Sequence, residues 1–138
     1  MSLVLDSSAT LAWIFADETT EALRALFDRV AEAGAVVPAL WRLEVANGLT
    51  VALRRRRIDE GFRRAALSDL SLLDISADKT TDDHAWSDCL DLADRFRLTL
   101  YDAAYLELAQ RRGLPLATLD DELRAAAGEL RISVLGRH

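Results

Sequence analysis

One cysteine, Cys89, stands among 138 residues, so no disulfide can close within the chain and no cysteine-only metal site can form. That scarcity fits a reducing, cytoplasmic setting. Lysine is as rare, with Lys79 the single copy, and histidine is limited to His84 and His138. There is no low-complexity tract, no Gly/Ser linker and no even repeat period. No apolar run approaches the roughly 20 residues that span a bilayer, and no basic stretch leading into an apolar one opens the chain, so a soluble, unprocessed protein with no membrane partner is expected. The net charge of -6 argues against a broad basic face that coats nucleic acid, because such binding draws on many Lys and Arg contacts to phosphate.

What the chain does have is 51% apolar residues in a length suited to one domain, 1–138, with enough core to fold without help. Its charge is unevenly spread. Arg54, Arg55, Arg56, Arg57, Arg63 and Arg64 form a basic block, and Asp78, Asp82, Asp83, Asp88, Asp91 and Asp94 make the following segment acidic. The arginine block could steer a phosphate backbone, or simply be a solvated helix end whose charge suits the carbonyl dipole there.

Apolar periodicity alternates between short β-prone runs and helical stretches. Leu3-Val4-Leu5 reads as a strand, followed by Asp6 and a helical pattern from Ala9 to Phe15. A helix spanning 18–33 ends at Gly34, and Ala35-Val36-Val37 is a strand stopped by Pro38. Helices follow over 39–57 and 59–70, a strand over 72–75, and one acidic amphipathic helix over 81–95 with Trp86 and Cys89 inward. The strand, aspartate, helix order then returns at Leu98-Thr99-Leu100 with Asp102, and at 114–119 with Asp120. An edge strand over 132–135 closes the chain.

Strands separated by helices imply a mainly parallel sheet covered on both faces, an α/β fold, with sites beyond the carboxyl ends of the strands. On that reading Asp6, Asp102 and Asp120 reach one rim, and Glu44, one turn into its helix with Asn47 on the same face, starts there too. Each aspartate alone reads as a helix cap before it reads as a ligand, since its oxygens accept first-turn amides. Four carboxylates gathered at one rim repel, and either protonation or a cation must relieve them. The ligands on offer are carboxylate oxygens with Ser7, Asn47 and Thr118 as neutral supplements, a hard donor set that suits Mg²⁺ or Mn²⁺ rather than zinc.

The segments Val4-Leu5-Asp6-Ser7-Ser8-Ala9, Leu43-Glu44-Val45-Ala46-Asn47, Leu100-Tyr101-Asp102-Ala103-Ala104-Tyr105 and Ala117-Thr118-Leu119-Asp120 resemble, in order and spacing, the four motifs of PIN-domain ribonucleases, in particular the VapC toxins of bacterial toxin-antitoxin pairs. The resemblance implies an α/β/α sandwich that dimerises and cuts RNA, often structured RNA such as tRNA, with Mg²⁺ or Mn²⁺. It implies that Asp6, Glu44 and Asp102 hold metal and that Asp120 is a fourth acid of more indirect role. Asp121 is the competing carboxylate at that position, and Asp120 is preferred because it follows the strand and Thr118 at the family's spacing. A cognate antitoxin is implied as well, for whose apolar groove Trp13 and Trp41 are candidates.

Other classes fit less well. A phosphoacceptor receiver domain needs a lysine at its site, and Lys79 follows no strand; a haloacid-dehalogenase-type phosphatase wants an aspartate at position 8, where Ser8 stands. The stronger rival is a non-catalytic module of the same fold whose acidic rim holds a basic peptide.

Overall fold

Five of the six β-prone runs contribute strands to one sheet, all of whose neighbours pair in parallel. In the computed structural model, which describes residues 2–137, the elements are β1 (Val4–Leu5), α1 (Ser7–Ile14), α2 (Glu21–Ala33), β2 (Ala35–Val37), α3 (Trp41–Arg54), α4 (Glu60–Ser71) and β3 (Ile75–Ala77). They continue as α5 (Thr81–Ala85), α6 (Asp88–Phe96), α7 (Leu100–Arg112), β4 (Leu116–Ala117), α8 (Asp121–Glu129) and β5 (Val134–Leu135).

The sheet order is β3-β2-β1-β4-β5, with Val4 beside Val36 on one side and beside Leu116 on the other. The chain winds outward from β1 through β2 to β3, then returns to the opposite side of β1 for β4 and β5. Strand order therefore reverses between β1 and β4, and in such sheets a crevice opens at the carboxyl ends on either side of the reversal. Asp6 and Asp120 lie just past those two ends.

Both faces of the central strand are covered: Leu3, Val4 and Leu5 are fully buried, as a parallel sheet requires. The helices divide into two contacting groups, α1 to α4 and α5 to α8, and α7 lies against β1 and β4. α7 is buried from Ala103 through Ala109, so it is a core element rather than an amphipathic cover. Gly48 of α3 lets α1 approach, since a Cβ there would meet Leu11 Cδ1 at 2.5 Å. That close approach brings the first turns of α1 and α3 together.

Several elements differ from the periodicity reading, each for a local reason. Leu98-Thr99-Leu100 is not a strand: Arg97 ends α6 in the left-handed conformation, and Thr99 caps α7, its hydroxyl accepting from Asp102 N at 3.1 Å. A three-residue apolar run between two helices cannot reveal which it is. The acidic helix over 81–95 is two helices broken at Trp86-Ser87, and Trp86 points out, 89% exposed, although Cys89 is buried. The strand expected at 72–75 begins only at Ile75, because Leu72 terminates α4 and is itself exposed. Helix α2 starts at Glu21 rather than at 18, since Thr20 caps it, accepting from Leu23 N, while Thr19 bonds back to the carbonyl oxygens of Ala12, Trp13 and Phe15. The edge strand at the chain end is present as β5.

Candidate metal centre at the switch point

Asp6 occupies the N-cap position of α1 but makes no capping bond. Its carboxylate turns inward instead, 3% exposed, and its Oδ2 accepts from Thr118 Oγ1 at 2.6 Å and Ser8 Oγ at 2.7 Å. Each hydroxyl has one proton, committed to Asp6, and each then accepts a backbone amide of the segment after β4: Leu119 N reaches Ser8 Oγ and Asp120 N reaches Thr118 Oγ1, both at 3.1 Å. The two hydroxyls thus stitch the end of β1 to the end of β4. Burial raises the Asp6 pKa above the ordinary carboxylate value; the Thr118, Ser8 and Ser7 hydrogen bonds oppose this, and the charge of Asp120 adds to it.

Glu44 sits in the first turn of α3, half-buried. Its Oε1 accepts from the Tyr105 hydroxyl at 2.6 Å and lies 3.4 Å from Ser7 Oγ, which is itself 3.5 Å from Asp6 Oδ1. Ser7 therefore lies between two of the acids. Burial is the main cause of the raised Glu44 pKa, moderated by Tyr105 and reinforced by the charge of Asp6.

Asp102 lies in the first turn of α7, where Thr99 already serves as cap, so its carboxylate is left for other use. Its pKa is pushed up to about 6, first by burial and then by the charges of Asp6, Asp120 and Glu44. All four acids therefore share one electrostatic neighbourhood. Asp120 does cap its helix, with Leu123 N donating to Oδ1 at 2.8 Å, which leaves Oδ2 unbonded among the described residues. Asp121 points away, exposed and paired with Arg137. The carboxylate that joins the cluster is Asp120.

The supplementary residues divide. Ser7 and Thr118 touch the acids; Asn47 is exposed, and no hydrogen bond among the described residues joins it to them. Two contacts went unread in the sequence, Ser8 and Tyr105. Ser8 follows Asp6 by two positions, within reach of its carboxylate. Tyr105 stands three residues after Asp102 on the same side of α7, and its hydroxyl is the single polar group in a run of buried apolar side chains from 103 to 106.

Other candidates sit apart from this cluster. Arg57 pairs with Asp17 and Glu18 at 2.8 Å each and stacks over Phe15, while Arg54, Arg55 and Arg56 are exposed. Trp13 stacks on Phe27, and Trp41 is buried with its Nε1 donating to Thr10 Oγ1 at 3.2 Å, so both indoles are built into the packing. His84 is partly buried against Asp88; His138 lies outside the described residues. Among the described residues, the trio of potential ligand atoms within 4.8 Å of one another is that of His84, Asp88 and Glu107. Both Glu107 oxygens there already accept from Arg111, whose guanidinium takes the place of a cation. The four acids at the rim are spaced more openly and have no arginine among their hydrogen-bond partners, a donor set of carboxylate and hydroxyl oxygen that fits a hard divalent ion with several waters retained.

The family model described as PIN domain matches residues 3–129 of the chain. The crystal structure of PAE2754 from Pyrobaculum aerophilum is similar, with 27% identity and a TM-score of 0.66 over 91% of this chain and 87% of that one. No curated protein matches the chain.

Proposed function

We propose, from the premise that the chain belongs to the PIN-domain family, whose members are usually nucleases that use divalent metal ions, that it is a Mg²⁺- or Mn²⁺-dependent endoribonuclease. The observation that carries this reading is the gathering of Asp6, Glu44 and Asp120 around Asp102, whose carboxyl is pushed up to about 6 first by burial and then by their three charges. Such a repulsive cluster opposes folding and makes sense where a cation neutralises it.

Asp6, Glu44, Asp102 and Asp120 would hold the ion. When bound, it would supply an activated water and neutralise charge growing on the phosphoryl oxygens. The chain's own part is positional. Ser8 and Thr118 fix Asp6, Tyr105 and Ser7 fix Glu44, and Thr99 caps α7 so that Asp102, near the charges of the other three acids, need not. No His or Cys lies among these contacts, and the Ser8, Thr118 and Tyr105 hydroxyls are bonded to Asp6 and Glu44, which supports water as the attacking group. The substrate is RNA, structured RNA such as tRNA included, with the exposed Arg54, Arg55 and Arg56 at the end of α3 as phosphate contacts.

The wider setting proposed is that of a toxin in a toxin-antitoxin pair, acting as a homodimer in the cytoplasm. The antitoxin part is supported by a groove of about 360 Å³ between α3 and α4, lined by Leu67, Leu73 and Ile75 over the buried Trp41. No helix among the described residues is long and apolar enough to cross a membrane.

Incubating the purified chain with labelled tRNA, with Mg²⁺, with Mn²⁺ and with EDTA, tests the activity. Internal cleavage that EDTA stops and Asp6→Asn abolishes is expected. Intact RNA in every arm, together with tight binding of a basic peptide, would replace this reading with the non-catalytic module.

A further inference from the structure

The hydroxyl of Tyr105 ends at Glu44 Oε1, 2.6 Å away, and Ser7 Oγ approaches the same oxygen at 3.4 Å. A carboxylate oxygen offers about two lone-pair positions, so Oε1 has both engaged, while no hydrogen bond among the described residues reaches Oε2. Asp6 repeats the plan: Thr118 and Ser8 occupy Oδ2 at 2.6 and 2.7 Å, leaving Oδ1 with only the long Ser7 contact. On Asp120, Leu123 N takes Oδ1 and leaves Oδ2. Three acids from three different elements are each held by one oxygen, and the other has no short hydrogen bond among the described residues.

This pattern has a consequence for ion choice. Mg²⁺ and Mn²⁺ favour octahedral shells of single oxygens, whereas Ca²⁺ takes six to eight ligands at longer range and commonly draws both oxygens of a carboxylate. We infer that Tyr105 is a positioning residue that sets cation selectivity: by occupying Glu44 Oε1 it confines Glu44 to single-oxygen ligation and so turns the site against Ca²⁺. The inference rests on the metal-dependent reading of the site above and deepens it. Tyr105 suits the role because its ring is fully buried and packed within α7, so its hydroxyl cannot swing aside when an ion arrives. Its packing can also be kept while the hydroxyl alone is removed.

The test is competition of Mg²⁺ and Ca²⁺ against Mn²⁺ on the full chain, following free Mn²⁺ by electron paramagnetic resonance, for the parent and for Tyr105→Phe. The parent is expected to prefer Mg²⁺, and Tyr105→Phe to lose about fivefold or more of that preference as Glu44 becomes free to offer both oxygens. A loss of packing alone would weaken both ions alike and leave the ratio unchanged. An unchanged ratio in a variant that still binds Mn²⁺ therefore overturns the selectivity role and leaves the metal site standing. Failure of the parent to bind Mn²⁺ at all overturns the metal reading itself, and this inference with it. A second measurement needs no variant at position 105: infrared difference spectra of the parent on Ca²⁺ loading, with Glu44→Gln used to locate the Glu44 bands, should keep the splitting of a single-oxygen carboxylate. A two-oxygen splitting for Glu44 there also overturns the inference.

Discussion

Thr118 Oγ1 donates a 2.6 Å hydrogen bond to Asp6 Oδ2 across 112 positions of sequence, joining the residue after β4 to the residue after β1 at the reversal of strand order. It is the tightest of the bonds that aim Asp6. Because Asp6 is buried, that bond bears on stability as well as on chemistry.

Thr118→Val keeps the side chain's shape and removes this donor, leaving a buried carboxylate with Ser8 as its remaining hydroxyl partner. A loss of about 1–3 kcal/mol in urea unfolding at pH 7 is expected, the usual cost of depriving a buried charged acceptor of a donor. RNA cleavage should fall about 10- to 100-fold, the range seen when the support of a metal-holding group is removed. Thr118→Ser should recover most of both.

Asp102→Asn separates function from stability. Cleavage should drop by more than about 100-fold, since a ligand rather than its support is altered. Thermal unfolding in metal-free buffer at pH 7.5 should nevertheless occur at a higher temperature than in the parent, because the variant removes one of four mutually repelling charges.

The same group predicts a pH dependence. Its folded-state pKa is pushed up to about 6 from an ordinary value of 3.8, so between those values the folded chain binds more protons than the unfolded one. This contribution makes the metal-free protein more stable as pH falls from about 7 toward 4, and Asp6 and Glu44, both raised, act in the same direction. The melting temperature of the parent should therefore gain on that of Asp102→Asn as pH is lowered through 6. A constant difference between the two would contradict the shift. Added Mg²⁺ should raise the parent's melting temperature more at pH 7.5 than at pH 5, where protons occupy the same oxygens.

Asp120 and Asp121 are adjacent but face different neighbours. Asp120→Asn should reduce cleavage, whereas Asp121→Asn, which loses only an exposed pair with Arg137, should stay within about twofold of the parent. Equal losses in the two would show that both carboxylates serve the site.

Asp78 is predicted to matter for folding alone. Its side chain, 1% exposed, accepts from Arg111 Nη2 at 2.7 Å, Arg112 Nη2 at 3.1 Å and Thr81 Oγ1 at 3.0 Å, tying the end of β3 to the end of α7. The arginines hold its pKa well below the carboxylate range, so its stabilisation is present above pH 3.8 and is lost as pH falls below that. Asp78→Ala should lose about 3 kcal/mol in urea unfolding at pH 7, the lower end for breaking a buried ion pair, since both arginines keep some contact with water.

Much of this protein was legible in one dimension. Period-two and period-3.6 apolar patterns are local, so they gave an α/β fold with a mainly parallel sheet and six expected strands, among them β1, β2, β4 and β5 near their observed positions, and carried Asp6 and Asp120 to strand ends. Glu44 and Asp102 were found as residues too, although Asp102 reaches the rim from a helix's first turn and not from a strand. Short runs failed where several structures satisfy the same three or four residues: 98–100 became a turn and a cap, and the break at Trp86-Ser87 carries no Pro or Gly to announce it.

What the sequence by itself determined was which side chains are available, a set of hard oxygen donors with no cysteine or histidine among them. Tertiary structure alone decided which oxygen of each is free. Hydroxyls from Ser8 and Thr118 take one side of Asp6 and that of Tyr105 one side of Glu44, up to 112 positions away in sequence, the Leu123 amide takes one side of Asp120, and Arg137 pairs with Asp121 outside the cluster that Asp120 joins. Hydrogen-bond reach is a matter of ångströms in space, and a linear pattern does not contain that distance until β1 and β4 lie side by side.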